Sequence, residues 1–448
     1  MTQCNTQMAF SFHKNLPVVA DFSGGHLSSD AGLLPLRELD HRLGWSQAAA
    51  RLLTDRRDPA KVTHESTTIL RQRLFALAAG YEDANDHTRL RRDPTLKLLC
   101  GRDLSEGSDL ASQPTISRFE NSVTPRQVAR LNRLLVRQYI QLHRDDPPEE
   151  IILDVDPTDD PCHGHQQLAL FNGFYHQYMY LPLLVFERRT GMLLGARLQA
   201  GNVHPARRVL QLLRPIVRQL RRAFPQVQVI IRADAGFARP EFYRFCEGNR
   251  IGYLIGFPAN SALKEETQWA LEWLQERFDR DGQPHKWIGG FLYQAGSWQR
   301  PRRILYKVEV NAQGTNRRFI VTNLPGLPAH LFPLYHDRGT AEGYIGQFKN
   351  HLSCDRLSCH RFLANAFRLL LTALAYNLLT AYRMLLEGTE LASASVETIR
   401  SRLLKIGARL RQSARRFWVH LACGFPFREL LRKLLQRIAR LHPPPLPV

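Results

Sequence analysis

Residues 150–158 read EIILDVDPT, and the fold turns on how that stretch is read. A run of β-branched residues and leucine stops in Asp154 and Asp156 and then turns at Pro157, the pattern of a buried strand with acid at its carboxyl end. Alternation along a strand sets Asp154 and Asp156 on one face. A second stretch of this kind, VQVIIRADAGF at 227–237, has the length and composition of a fully buried strand and ends in Asp234 before Gly236. Acids at strand carboxyl ends mark the edge where open α/β sheets bind ligands. Either aspartate can also be an ordinary turn or cap residue, and Asp234 suits the cap of a helix beginning near Pro240.

Outward from these two stretches, the pattern predicts strands at 151–155, 178–186 and 193–198, a helix at 206–223, a strand at 227–231, a helix at 240–247 and a strand at 253–256. Three strands followed by alternating helix and strand predict a mixed sheet with helices on its faces, an α/β fold. Further strands are expected at 287–293, 303–310 and 317–323, so residues 260–330 read as a β-rich insertion. The expected spans are a mostly helical, DNA-binding N-terminal region (1–145), the first part of the core (146–259), the insertion (260–330), the second part of the core (331–390) and a basic helical C-terminal region (391–448). The polar segment HRDDPPE at 143–149 reads as the linker into the core.

A third acid comes from YHDRGTAEGYIGQFK at 335–349. If this segment is one helix, Arg338, Glu342 and Lys349 stand at i, i+4 and i+11, with one carboxylate on a face shared by two cations. A solvated helix shows the same spacing. Together with the two strand ends, however, it supplies Asp156 or Asp154, then Asp234 and Glu342, a set suited to two hard divalent cations. Such ions activate a water or a 3′-hydroxyl for in-line phosphoryl displacement, and no Ser or Cys nucleophile is needed.

Tyr335, Arg338, Glu342 and Lys349 reproduce the spacing Y-x2-R-x3-E-x6-K, and here the chain resembles bacterial insertion-sequence transposases with a DDE active site. Asp156-Pro157-Thr158 resembles the first Asp-x-Thr of that superfamily, and Asp234 in ADAGF its second aspartate. DPTDDPCHGHQ at 156–166 and FNGFYHQYMYLPLL at 171–184 are similar to the group named insertion sequence thirteen-eighty. The resemblance implies a ribonuclease H-like mixed sheet core with a β-rich insertion, flanked by mostly helical terminal regions. It implies Asp156, Asp234 and Glu342 as catalytic ligands of two magnesium or manganese ions, with Tyr335, Arg338 and Lys349 on DNA phosphates. The preference for Asp156 rests on the Asp-x-Thr pattern, and Asp154 stays open as the alternative ligand or a supporting residue. The function implied is cleavage and strand transfer at element ends by a homodimer on double-stranded DNA. A catalytically silent DNA-binding descendant and a ribonuclease H-like nuclease are the alternatives.

Composition agrees with a polyanionic partner. There are 61 Lys and Arg against 41 Asp and Glu, a net charge of +20, and phosphate neutralisation is the natural use of such an excess. Residues 401–448 hold 11 of these cations and one acid, Glu429. Their pattern, at 402–421 and again at 427–441, reads as amphipathic helix. SQPTISRFEN at 112–121 has the character of a DNA recognition helix, near the cations Arg89, Arg91 and Arg92, although a short helix packed beneath the core explains it too. Arg300, Arg302 and Arg303 are candidates to lie along DNA, and Thr124 with Pro125 predicts a helix start.

Other classes are disfavoured. Seven scattered cysteines, Cys4 among them, suit reduced thiols, and the ligand-rich runs at 162–165 and 354–360 lack the paired spacing of structural zinc. The N-terminus has no charged segment leading into an apolar run, so no signal peptide is expected and a bacterial cytoplasmic, nucleoid-associated location is. The apolar stretch 362–386 is broken by Asn365, Arg368, Asn377 and Arg383, which favours a core helix over a membrane span. No G-x-x-x-x-G-K-[ST] loop implies nucleotide hydrolysis.

Overall fold

The computed structural model describes residues 7–16, 18–55, 57–105, 107–443 and 445–446. The chain forms two compact units, one of residues 1–119 with 381–442 and one of residues 120–380 with 443–448. Cys4 lies outside the described residues, and none of the six described cysteines forms a disulfide.

The second unit is built on one eight-stranded sheet. Its strands are β1 (Glu150–Pro157), β2 (Leu183–Glu187), β3 (Leu193–Arg197), β4 (Gln228–Ala233), β5 (Gly252–Phe257), β6 (His285–Tyr293), β7 (Arg302–Asn311) and β8 (Gly314–Thr322), in the order β6-β7-β8-β5-β4-β1-β2-β3. The three central strands run parallel and β2 runs against β1, so the sheet is mixed, as the sequence predicts. Ile151, Leu153, Val229, Ile231, Leu254 and Ile255 are buried, as strands covered on both faces require. Each such side chain contributes about 1.5–3 kcal/mol.

Helix α1 (Pro125–Leu142) precedes the sheet, α2 (Val209–Ala223) joins β3 to β4, and α3 (Pro240–Gly248) joins β4 to β5. Thr124 and Gln127 close a capping box at the start of α1 with Pro125 in the first turn, as the sequence predicts. The crossovers through α2 and α3 both advance the same way across the sheet, so right-handedness sets both helices on one face.

The inserted strands β6, β7 and β8 do not stand apart. They continue the core sheet, with Leu254 of β5 opposite Thr322 of β8. After them come α4 (Pro328–His336), α5 (Gly339–Gly346), a π-helical turn at Gln347–His351 and α6 (Phe362–Met384). Helix α6 is the one described helix long and apolar enough to cross a membrane, and 89% of its apolar window is buried inside the protein. Asn377 on it bonds the backbone of Leu193 in both directions and donates to Gln138, so the polar interruptions serve packing.

The first unit corrects the expectation of a helical C-terminal region. Residues 408–413 and 416–421 form a β-hairpin, and the former also pairs with His26–Ser28 from the N-terminal region. Ala408 and Leu410 are buried while Arg409 and Arg411 are exposed, a period of two that the helical reading of 402–421 missed. The helix over the second basic stretch does form, as Arg428–Ala439, burying Leu430, Leu431, Leu434 and Ile438.

Candidate active site

The site grows from the carboxyl ends of β1 and β4. Their parallel register sets Arg232 opposite Asp154 and Ala233 opposite Val155, so Asp234 leaves β4 level with Asp156. Asp154 is withdrawn from any reaction. Arg232 donates to both its carboxylate oxygens, from Nε at 2.6 Å and a terminal nitrogen at 2.7 Å, and both side chains are 0% exposed. Burial raises the Asp154 pKa, and the Arg232 guanidinium opposes that rise.

Arg232 does more than neutralise. It donates to the carbonyl of Leu334 at 2.5 Å and to that of Asp337 at 3.5 Å, and Arg188 grips the Asp337 carboxylate. The Leu334 carbonyl, which a continuous helix would bond to the Arg338 amide, is therefore taken by a strand side chain, and that amide bonds Tyr335 instead. The single helix expected over 335–349 is accordingly two, with the break at Asp337–Arg338, followed by the π-helical turn.

The break sets Arg338 over the acids. It donates to Asp156 at 2.6 Å and lies 3.7 Å from Glu342, one helical turn on. Burial works against its charge, but Asp156, Tyr335, Asp234 and Glu342 together raise its pKa. Asp156 is pushed up to about 7 by burial; Arg338 opposes the rise, and Asp234 and Glu342 add to it. Asp234 caps the short turn Ala235–Phe237 through the Gly236 amide at 2.9 Å, while the helix at Pro240 starts from Arg239. The alternative reading of Asp234 as a helix cap thus holds only for this nearer turn.

Tyr335 closes the back of the site. A Cβ on Gly256 would lie 2.7 Å from its hydroxyl and 2.9 Å from the Ala235 amide nitrogen, so glycine is what admits the tyrosine. The cleft beside it, about 430 Å³, is lined by Tyr335, Arg338, Glu342 and also Arg317 and Arg318 of β8. The insertion thus meets the cleft through Arg318, which is exposed. The arginines expected along DNA are occupied: Arg300 and Arg302 pair with Glu247, and Arg303 donates to the carbonyls of Leu324 and Gly326. Of the other cations picked out by sequence, Arg91 and Arg92 lie beside Asp109.

Lys349, on the π-helical turn, donates to Asp159 at 2.7 Å. Neither Asp159 nor its neighbour Asp160 was singled out by sequence. Asp160 is buried with both carboxylate oxygens lacking a hydrogen-bond partner; burial, then Asp355, pushes its pKa up to about 9 against the pull of Lys349. A hairpin of Leu170–Asn172 and Gln177–Tyr180 stands nearby, with Phe174 at its tip 84% exposed. Burial and the carboxylates of Asp159, Asp156 and Asp234 raise the Tyr175 phenol on the same tip.

Three carboxylates with no sulfur or imidazole among them suit a hard cation, and their mutual repulsion on Asp156 is what such a charge relieves. Among the described residues no three acidic, His or Cys side chains are gathered closely enough to hold an ion. Arg338 stands between them, and the Glu342 side chain is 66% exposed.

The sequence profile of a family described as transposase DDE domain group 1 matches residues 10–443. No curated protein matches. Among solved structures, a cryo-EM structure of piggyBac transposase synaptic complex with hairpin DNA is similar with a TM-score of 0.41 and 11% identity, covering 84% of this chain and 80% of that one.

Proposed function

Because the chain belongs to the transposase family with a group 1 DDE domain, we propose that it is the DNA transposase of an insertion sequence. It binds terminal inverted repeats, cuts at the element's ends and joins the freed 3′-hydroxyls to target DNA. The Y-R-E-K spacing and the stretches 156–166 and 171–184 align it with the insertion sequence thirteen-eighty group. Asp156, Asp234 and Glu342 are its acids, and Tyr335, Arg338 and Lys349 are its contacts to phosphate. The observation that carries this reading is the placing of Arg338 2.6 Å from Asp156 and 3.7 Å from Glu342, with Asp234 near enough to help raise its pKa.

Asp156, Asp234 and Glu342 would hold magnesium or manganese, which would supply charge neutralisation and activation of the attacking group. The chain's own part is to position. A phosphate that takes up Arg338 releases Asp156 from its ion pair, and Tyr335, wedged against Gly256, fixes the wall on which that phosphate rests. Lys349 passes from Asp159 to a neighbouring phosphate in the same way. Two ends must be held at once, so the active form is a dimer on DNA, working at the nucleoid.

The test is cleavage and strand transfer on a duplex carrying the gene's own flanking repeats, with magnesium or manganese, for the wild type, Asp156→Asn and Glu342→Gln. Metal-dependent nicking at the repeat boundary, lost in both variants, and joined products are expected. Nicking without joining makes the protein a nuclease, and repeat-specific binding without nicking makes it a silent descendant.

A further inference from the structure

Helices α1 and α2 carry four arginines each, Arg126, Arg130, Arg133 and Arg137 on one and Arg214, Arg218, Arg221 and Arg222 on the other, with no lysine and no acid on either. An ordinary solvated helix mixes signs, because like charges at i, i+4 repel. Here such pairs recur, at 126 and 130, 133 and 137, 214 and 218, and 218 and 222. Among the described residues none of the eight makes an ion pair with a carboxylate. Burial and the neighbouring Arg133 lower the pKa of Arg137, so the repulsion is felt.

The shape of the surface fits the charge. The two helices pack side by side, and a groove of about 680 Å³ lined by Arg133, Arg137, Arg218 and Arg222 lies on this face. On α2 a second groove, about 770 Å³, is lined by Arg214, Arg218, Arg221 and, from α3, Arg244. Glu241 is the one carboxylate on its wall among the described residues. The α2 arginines recur at i, i+4 and i+8, a straight row along one side. Helix α2 returns the chain from β3 to the start of β4, so its row runs away from the acids at the strand ends.

We propose that this arginine face is a second binding surface for duplex DNA, holding a phosphate backbone remote from the acidic site. Only the identity of the polyanion rests on the transposase reading; the surface itself does not depend on the three acids. Rows of guanidinium groups without a carboxylate partner, flanking a groove, suit a regular array of phosphates. The phosphates seated there are ones that the same chain's acids do not cut, in DNA flanking an end or in the second duplex of a joined assembly.

The test uses a fourfold variant, Arg133→Gln, Arg137→Gln, Arg218→Gln and Arg222→Gln, beside the matching fourfold Arg→Lys variant, all in the full chain. Binding to duplexes of about 15 and about 40 base pairs is followed against salt. For the Gln variant on the long duplex, an affinity loss of about 100-fold and a slope shallower by about three units are expected, near 0.9 per phosphate contact. The Lys variant should retain most of the slope, and the melting temperature of both should stay near wild type. Cleavage of the short end substrate by saturating protein should be unchanged in the Gln variant. A wild-type slope in the Gln variant overturns the proposal, as does an equal loss in the Lys variant. So does wild-type preference for vesicles of equal phosphatidylserine and phosphatidylcholine over the long duplex. If the wild type never cuts but long-duplex binding still depends on these arginines, the transposase reading fails and this surface stands.

Discussion

Two carboxylate–guanidinium pairs stand two residues apart on the same face of β1, and their fates diverge. Asp154 and Arg232 are sealed from water and joined by two hydrogen bonds. Asp156 and Arg338 are joined by one, at the rim of a cleft, with Asp234 and Glu342 close enough to be felt. The first pair has no other state to adopt. In the second, either member can be traded for a partner of stronger charge. The same chemistry is thus scaffold at one strand position and candidate site at the next, and the difference is the water and the neighbouring acids at the strand end.

The largest effect should come from breaking the outer pair. Asp156→Asn and Glu342→Gln are expected to lower end cleavage on the order of 1,000-fold or more while leaving the unfolding midpoint within a few degrees. Breaking the inner pair should do the reverse. Arg232→Met strands a buried carboxylate and is expected to cost about 3–5 kcal/mol of stability in urea denaturation. If Arg232→Met unfolds like the wild type, or Asp156→Asn collapses the fold, the two pairs have been assigned to each other's roles.

The inner pair was within reach of the sequence. Asp154 precedes Asp156 by two, and Arg232 precedes Asp234 by two. Once two parallel strands hold their terminal acids level, Asp154 and Arg232 must face each other, and an arginine within VIIRA needs such a partner. The strands β1 and β4 were legible for the same reason, since a buried strand that ends in acid has a distinctive composition. What stayed hidden was set by distant contacts. The break at Asp337–Arg338 goes with the Leu334 carbonyl captured by Arg232, and no local propensity records that. The hairpin at 408–421 was misread because arginines alternating with Ala and Leu satisfy a helical period nearly as well as a strand's, and pairing with residues 26–28 decided it. The arginines of α1 and α2 follow no motif spacing, and only the packing of the two helices makes the grooves they flank.

A third contrast lies deeper in the site, where Asp160 is buried with no hydrogen-bond partner for its carboxylate. Burial, then Asp355, raises its pKa to about 9, well above that of an unfolded chain. Folding therefore takes up a proton between about pH 4 and pH 9, and the stability this group allows falls as pH rises through that window by up to about 1.4 kcal/mol per unit. Asp160→Asn should flatten the slope. Its unfolding free energy is expected to match wild type near pH 4.5 and exceed it by a few kcal/mol near pH 8. Parallel curves for the two proteins would mean that the Asp160 charge is compensated by a cation or water.

The smallest effect separates the two cations proposed to take phosphate. Arg338 is held by Asp156 with Glu342 3.7 Å away, and Lys349 is held by Asp159, so on the proposed reading DNA must win both from anions already in place. In a Glu342→Gln background, which keeps the DNA intact, Lys349→Ala is expected to make the salt dependence of end binding shallower by about one unit. Asp159→Asn should act in the opposite direction and tighten binding by about 3–10-fold, because Lys349 no longer has to leave a partner, a gain of about 1 kcal/mol. Fluorescence anisotropy across a salt series reads both. If Lys349→Ala leaves the slope unchanged and Asp159→Asn leaves affinity unchanged, Lys349 serves Asp159 alone and belongs with Arg232 among the cations that hold the fold.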